Sequence, residues 1–197
     1  MRDPLAASSL VKAAPRLLVA ACFIVLGVVT SACNPTFNWR EFRSPDGFAV
    51  MLPGRPQTVS REVKLPDGTV QMSMTSTGIG ATLFAVGVAH LPAGLSAETA
   101  ARERTIAYMR DALIRNVGAS QVRTSMAALP LPAGDSRKVL AAQTAEASGQ
   151  DKGGRAVQVA ARLFIVDDRL FQVVALGARD ELSPEALDTF FASFRLI

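Results

Sequence analysis

The side chains that could carry out chemistry in this sequence are few and widely separated. The chain has one histidine, His90, and no acidic residue lies close to it in sequence. A histidine-dependent nucleophilic site needs a nucleophile within hydrogen-bond reach of the ring and a third group that orients the ring. A hydrolytic site would therefore have to combine His90 with distant carboxylates such as Asp167, Asp168 and Asp180. We predict instead that His90 is structural or exposed and that the chain is not an enzyme.

Three short segments could bind a ligand, but each has a simpler interpretation. Asp167 and Asp168 are adjacent carboxylates, yet a calcium site needs six or more oxygen ligands and aspartate is a common turn residue. Met72 and Met74 could bind copper(I), but a spacing of two places both on one face of a strand. The segment SGQDKGG, residues 148–154, lacks the spacing of a phosphate-binding loop. The sequence therefore predicts no catalytic residue, no metal ligand and no cofactor.

Cys33 ends an N-terminal segment that has the layout of an export signal. Basic residues at positions 2, 12 and 16 precede an uncharged apolar run, 17–30, and small residues then lead to Cys33. This order is typical of a secretory signal peptide. The run is too short to cross the membrane comfortably, since a spanning helix needs about 20 apolar residues. We predict that residues 1–32 are a cleaved leader.

The segment VTSAC, residues 29–33, resembles the lipobox of bacterial lipoproteins, although Thr30 stands where leucine is commoner. The resemblance implies cleavage before Cys33 and acylation of its thiol. Several acyl chains would give a stable membrane anchor, with the protein facing the periplasm. Asn34 stands where an aspartate would mark retention in the inner membrane, which favours the outer membrane. Two alternatives stay open: an ordinary cleaved signal that leaves Cys33 as a free thiol, and an uncleaved anchor helix.

The positive charge of the chain comes partly from the leader. The 197 residues contain 21 basic and 17 acidic side chains, a net charge of +4. Removal of residues 1–32 takes away three basic and one acidic side chain, which leaves 18 and 16 and a net charge of +2. Nucleic-acid binding needs clustered lysine and arginine, so the balance argues against a nucleic-acid partner. With Cys33 acylated the folded part has no thiol, and its stability must come from apolar packing.

Alternation and turn residues predict a single domain at 39–197 that follows a short tether at 33–38. Two Pro-Asp-Gly turns, at 45–47 and 66–68, predict β-hairpins. Val70, Met72 and Met74 alternate with polar residues and should share a buried face. Further strands are predicted at 82–91, 121–127, 137–145, 155–166 and 169–177.

Two helices are predicted between and after these strands. The longer one should begin with Ser96 as its N-cap and end near Val117, before Gly118. The shorter one follows Ser183 and carries three phenylalanines that should insert into the core, namely Phe190, Phe191 and Phe194. The fold class is thus α+β, a central antiparallel β-sheet with a long helix and a short C-terminal helix packed on it.

The segments FRSPDGFAVMLPGRP (42–56) and DRLFQVVALGARDELSPEALDTFFASFRL (168–196) resemble the framing segments of PsbP/Mog1-like domains. Members of that family are mostly accessory and assembly proteins. The resemblance therefore implies a binding role, and no catalytic residue is carried over from it.

The predicted function is a lipid-anchored periplasmic binding or assembly accessory protein without a catalytic role. Its partners would be the membrane, through the lipid on Cys33, and an envelope protein. One alternative is a hydrolytic enzyme with a site assembled around His90 and carboxylates, which must then meet in a pocket. The other is a carrier of an apolar small molecule or lipid, which requires an enclosed apolar cavity.

Overall fold

The structure, a computed structural model, describes residues 37–119, 121–151 and 153–197. Cys33, the predicted leader at 1–32 and most of the predicted tether at 33–38 lie outside these residues. Phe37–Ile197 form one compact unit. Its strands are β1 (Arg40–Ser44), β2 (Phe48–Leu52), β3 (Gln57–Leu65), β4 (Gly68–Ile79), β5 (Thr82–His90), β6 (Gln121–Met126), β7 (Val139–Gln150), β8 (Ala156–Val166), β9 (Arg169–Ala178) and β10 (Arg195–Leu196). Its helices are α1 (Ala93–Ala97), α2 (Thr99–Asn116) and α3 (Pro184–Ser193).

Seven strands form one antiparallel sheet in the order β3-β4-β5-β9-β8-β7-β6. Strands β3 to β5 and strands β6 to β8 are two meanders, each in chain order. The helices α1 and α2 carry the chain from β5 to the opposite edge, where β6 begins. Strand β9 then pairs with both β5 and β8 and joins the two meanders. An antiparallel sheet with packed helices confirms the predicted α+β class.

A second, smaller sheet has the order β1-β2-β10 and is also antiparallel. Its hairpin turn is the predicted Pro-Asp-Gly segment. Gly47 has a φ of +77°, which glycine adopts without strain, and its N–H donates to the Ser44 carbonyl over 3.1 Å. In the second predicted hairpin, Leu65 pairs with Gly68. Both hairpin predictions are confirmed.

The small sheet and α3 cover one face of the large sheet with aromatic side chains. The ring of Phe84 lies 5.1 Å from that of Phe190, and the ring of Phe164 lies 6.0 Å from that of Phe194. Phe190 is fully buried. The predicted insertion of the C-terminal aromatic residues into the core is confirmed.

Helix α3 begins as its sequence predicts. The Ser183 hydroxyl accepts a hydrogen bond from the Ala186 N–H over 3.2 Å, and Pro184 occupies the first helical position. Both features are favoured at helix N-termini. Phe194 follows the last helical residue and still belongs to the aromatic core.

Helix α2 covers the other face of the large sheet with aliphatic side chains. Ile106 and Met109 are buried against a cluster that includes Met72 and Leu163. Met72 is fully buried and Met74 packs against the same cluster. The predicted shared face of these methionines is confirmed.

The predicted N-cap of the long helix, Ser96, is wrong. Ser96 lies inside α1, where its hydroxyl donates to the Ala93 carbonyl over 3.2 Å. Pro92 is the N-cap residue of this short helix, which begins earlier than predicted. The chain is extended at Glu98 and starts again as α2 at Thr99, without a side-chain cap. The predicted end is confirmed, because Gly118 has a φ of +54°.

Strand β7 extends beyond its predicted end at Ala145, so residues 148–154 are not all a hairpin tip. Ser148 still pairs with Gln158 on β8. The turn that follows is built around Asp151, whose Oδ1 accepts hydrogen bonds from the N–H groups of Gly153 and Arg155 over 2.8 and 2.9 Å. The polar residues of β7 are compatible with a strand because one of its faces is exposed.

Candidate functional site

His90 and Asp168 meet at one end of the large sheet. His90 is the last residue of β5, and Asp168 lies in the turn between β8 and β9. The two elements are held together by the Leu91 N–H, which donates to the Asp168 carbonyl over 2.7 Å. His90 Nδ1 lies 3.3 Å from Asp168 Oδ2. The side chains are 72% and 57% exposed, so solvent surrounds this pair and weakens its electrostatic interaction.

Asp167 has a structural role in the same turn. It adopts a φ of +50°, a conformation that aspartate tolerates better than most residues. Its Oδ1 accepts a hydrogen bond from the Lys138 N–H over 3.0 Å, and its own N–H donates to the Lys138 carbonyl over the same distance. The interpretation of Asp167 as a turn residue is therefore confirmed.

Asp180 lies at the other end of β9. Ten residues of extended strand, about 30 Å, separate the turn that contains Asp168 from the segment that contains Asp180. Asp180 Oδ1 lies 3.4 Å from Arg155 Nη2, which also contacts Glu181 over 2.7 Å. The structure thus brings Asp168 to His90 and keeps Asp180 apart. Within residues 37–119, 121–151 and 153–197, no group of three or more metal-ligating side chains is placed to hold an ion.

A groove lies along the part of the large sheet that α3 leaves uncovered. Its main section has a volume of about 710 Å³, and two adjoining sections of about 600 and 290 Å³ share Glu146 with it. We call this region the polar groove; its lining includes Arg123, Thr144, Glu146, Gln158, Arg179 and Leu187.

The strand register explains why the polar groove is polar. Arg123 pairs with Glu146, and Ser125 pairs with Thr144, so these four side chains lie on one face of β6 and β7. Arg123 Nη2 lies 3.4 Å from Glu146 Oε2. The hydroxyl oxygens of Ser125 and Thr144 are 2.6 Å apart. An ion pair and a pair of hydroxyl groups therefore line the floor, and they provide both hydrogen-bond donors and hydrogen-bond acceptors.

Arg162 forms the wall where the groove meets α3. Its guanidinium donates to the Phe191 carbonyl over 3.2 Å and lies 4.8 Å from the centroid of the Phe191 ring. Burial lowers the pKa of Arg162, and the nearby Asp188 carboxylate opposes that shift. Arg162 thus holds the helix against the sheet and supplies part of the groove wall.

One edge of the polar groove is an unpaired strand. Within the described residues β6 pairs with β7 alone, so the outer N–H and C=O groups of β6 are available to an added strand. The large side chains of Val122 and Met126 on β6 are 44% and 90% exposed. The arrangement can bind an extended polypeptide through main-chain hydrogen bonds at β6 and side-chain contacts along the floor.

Sequence reasoning did not identify the polar groove. A usable signal existed in β7, where Thr144, Glu146 and Ser148 alternate with the buried Ala145 and Ala147. Such alternation indicates a strand with one exposed polar face.

The predicted lipidation site, Cys33, lies outside the described residues. No helix within those residues is long and apolar enough to cross a membrane. In the comparisons with known proteins, no family model and no curated protein matches the chain.

Proposed function

We propose that this chain is a lipid-anchored protein of the bacterial cell envelope that binds a partner protein and has no catalytic role. The lipid is on Cys33, the folded part faces the periplasm, and the outer membrane is favoured over the inner. The leader residues and the small residues before Cys33 support the proposed export and membrane attachment. The polar groove supports the binding role, and it is the observation that carries this proposal.

The shape and chemistry of the polar groove favour a polypeptide over an apolar ligand. Its floor carries the charged pair Arg123 and Glu146 and the hydroxyls of Ser125 and Thr144. An apolar carrier would use an enclosed cavity lined mainly by apolar side chains. A peptide that binds by strand addition uses an unpaired strand edge and alternating side-chain contacts, and β6 and the groove floor supply both.

The lipid anchor is tested by mass spectrometry of the mature protein from bacterial membranes. We expect the N-terminal peptide to begin at acylated Cys33, and Cys33→Ala to lack the modification. An unmodified mature terminus in the wild-type chain would contradict the anchor.

The binding role is tested by co-purification after crosslinking in intact cells. Arg123→Glu reverses an exposed charge on the groove floor, and we expect it to reduce recovery of any specific partner by at least about tenfold, since like charges brought together across an interface cost several kcal/mol. Arg115→Glu makes the same charge change on α2 and should leave recovery unchanged. Equal recovery with both variants would contradict the groove as the binding site.

The contact between His90 and Asp168 favours a hydrolytic enzyme as the second candidate. A carboxylate that orients a histidine is part of many nucleophilic sites. We would expect such an enzyme to hydrolyse an activated ester and to lose this activity in His90→Ala. Equal rates for the two proteins would remove the candidate.

The finer fold assignment belongs to the same proposal. We infer a PsbP/Mog1-like fold from the segments at 42–56 and 168–196 and from their positions in the structure. The first forms the β1–β2 hairpin, and the second forms β9, α3 and β10. Superposition on an experimentally determined member of that family tests the assignment.

A further inference from the structure

Few residues separate Cys33 from the folded domain in the sequence. Phe37 is the first described residue, and its ring lies 5.5 Å from that of Phe84 in the core. Trp39 lies 5.2 Å from the same ring. Only residues 34–36 therefore separate Cys33 from a side chain that is fixed to the core. Four extended Cα steps span at most about 14 Å.

This short connection brings one particular surface to the bilayer, if Cys33 is acylated as proposed above. The surface next to Phe37 contains an open depression of about 570 Å³ lined in part by Asn38, Arg40, Glu41 and Arg55. Arg43 and Arg195 lie beside Glu41 on the outer face of the small sheet, where both pair with Ala49. We call this region the N-terminal basic surface; its arginines are Arg40, Arg43, Arg55 and Arg195.

The charges of the N-terminal basic surface are not balanced. Glu41 accepts a hydrogen bond from Arg195 and another from Arg43, the latter over 2.7 Å. The arginines, Arg195 first and then Arg43, lower the pKa of Glu41, which remains charged at neutral pH. Arg40 and Arg55 are exposed and form no ion pair within the described residues. Four arginines and one glutamate leave an excess of three positive charges.

We propose that the N-terminal basic surface binds the anionic phospholipid headgroups of the membrane that holds the lipid on Cys33. Phe37, the described residue nearest to Cys33 in sequence, is followed directly by residues that line this surface, namely Asn38 and Arg40. Each arginine near an anionic bilayer favours the bound state by about fivefold, and salt screens this attraction. The domain is thus held in one orientation, and the inference rests on the proposed acylation of Cys33.

Trp39 provides a probe beside this surface, because it is half-buried between Asn38 and Arg40 and is the only tryptophan of the chain. The experiment uses the full acylated chain in vesicles of phosphatidylethanolamine and phosphatidylglycerol, with a fraction of the lipids brominated near the headgroup. Contact with the bilayer should quench the fluorescence of Trp39. We expect Arg40→Glu combined with Arg55→Glu to lower the ratio of bound to unbound domain by at least about twentyfold, from two factors of about five. Vesicles of phosphatidylcholine alone should give the same loss of quenching.

The matched control is Lys64→Glu combined with Arg115→Glu, which makes the same charge change at exposed positions on β3 and α2. Its quenching should equal that of the wild type, and thermal unfolding should show that all variants are folded. Acylated protein that floats with the vesicles but shows equal quenching in both double variants would overturn the inference and leave the lipid anchor intact. Absence of acylation by mass spectrometry would overturn the anchor, and the inference with it.

Discussion

The two faces of the seven-stranded sheet are covered in different ways. One face packs against the small sheet and α3 through phenylalanine rings, among them Phe84, Phe164 and Phe190. The other packs against α2 through alanine, valine, leucine and methionine. Bulky aromatic rings pack against one another through their side chains. Small residues instead allow the backbones of two packed elements to come close together. The first face should therefore depend on side-chain volume, and the second should depend also on the close backbone approach at Gly149.

The largest effect should come from Phe190→Ala on the aromatic face. Phe190 is fully buried and contacts the rings of Phe84 and Phe191. We expect a loss of about 3–5 kcal/mol in the free energy of unfolding, measured by denaturant titration. Thr189→Ala is an exposed control on the same helix and should change stability by less than about 0.5 kcal/mol. The comparison fails if Met109→Ala, on the α2 face, costs more than Phe190→Ala.

The opposite face should be sensitive to an added methyl group at Gly149. A Cβ there would lie 2.1 Å from the Val117 carbonyl oxygen and 2.8 Å from that of Gly118. Because both atoms belong to the backbone, the turn after α2 or strand β7 must shift, at a cost of about 1–3 kcal/mol. Gly94→Ala is the control, since no atom lies within 4 Å of its Cβ position. A thermal midpoint unchanged by Gly149→Ala would show that the faces do not differ in this way.

The helices of the two faces also differ at their N-termini. Ser183 caps α3 through its hydroxyl, whereas α2 has Glu98 at the N-cap without a side-chain bond. We expect Ser183→Ala to lower stability by about 1 kcal/mol and Glu98→Ala to lower it much less. Equal losses in chemical denaturation would mean that the Ser183 bond contributes nothing.

The smallest effect concerns the titration of Glu185 in the first turn of α3. Hydrogen bonds from its own backbone N–H and from Ser183 lower its pKa below the ordinary value of 4.5. A depressed folded pKa stabilises the fold above the unfolded pKa, and this contribution is lost as the pH falls through the folded pKa. Carboxyl NMR titration should show a lowered pKa for Glu185 in the wild type and a higher value in Ser183→Ala. An identical pKa in both proteins would contradict the cap as one of its causes.

Local signals in the sequence were sufficient for most elements. Gly47 with its proline and aspartate predicted the first hairpin, and Ser183 with Pro184 predicted the start of α3, because each depends on residues a few positions apart. The N-cap prediction for Ser96 was wrong because it too used only neighbouring residues. Its local pattern is that of an N-cap, but Arg102 bonds to the carbonyls of Ser96 and Ala97 over 2.8 Å each and stabilises a break that the pattern does not contain.

The candidate sites depend on distant pairings and were mostly beyond sequence reasoning. The contact between His90 and Asp168 joins residues 78 positions apart and exists because β5 pairs with β9. The polar groove depends on the register of Arg123 with Glu146 and on where α3 ends its coverage of the sheet. Such registers follow from the whole fold, not from the local alternation that predicts each strand.

The position of β9 has a consequence for the order in which the chain can fold. The two meanders share no hydrogen-bonded strands until β9 fills the space between β5 and β8, and β9 begins only at Arg169. Until then β5 and β8, which are mainly apolar, each present an unpaired edge, a recognised hazard for aggregation. Pairings between residues far apart in sequence also slow folding. A chain that is truncated or stalled before Arg169 therefore lacks the strand that completes the sheet, and it should depend on chaperones far more than the complete chain does.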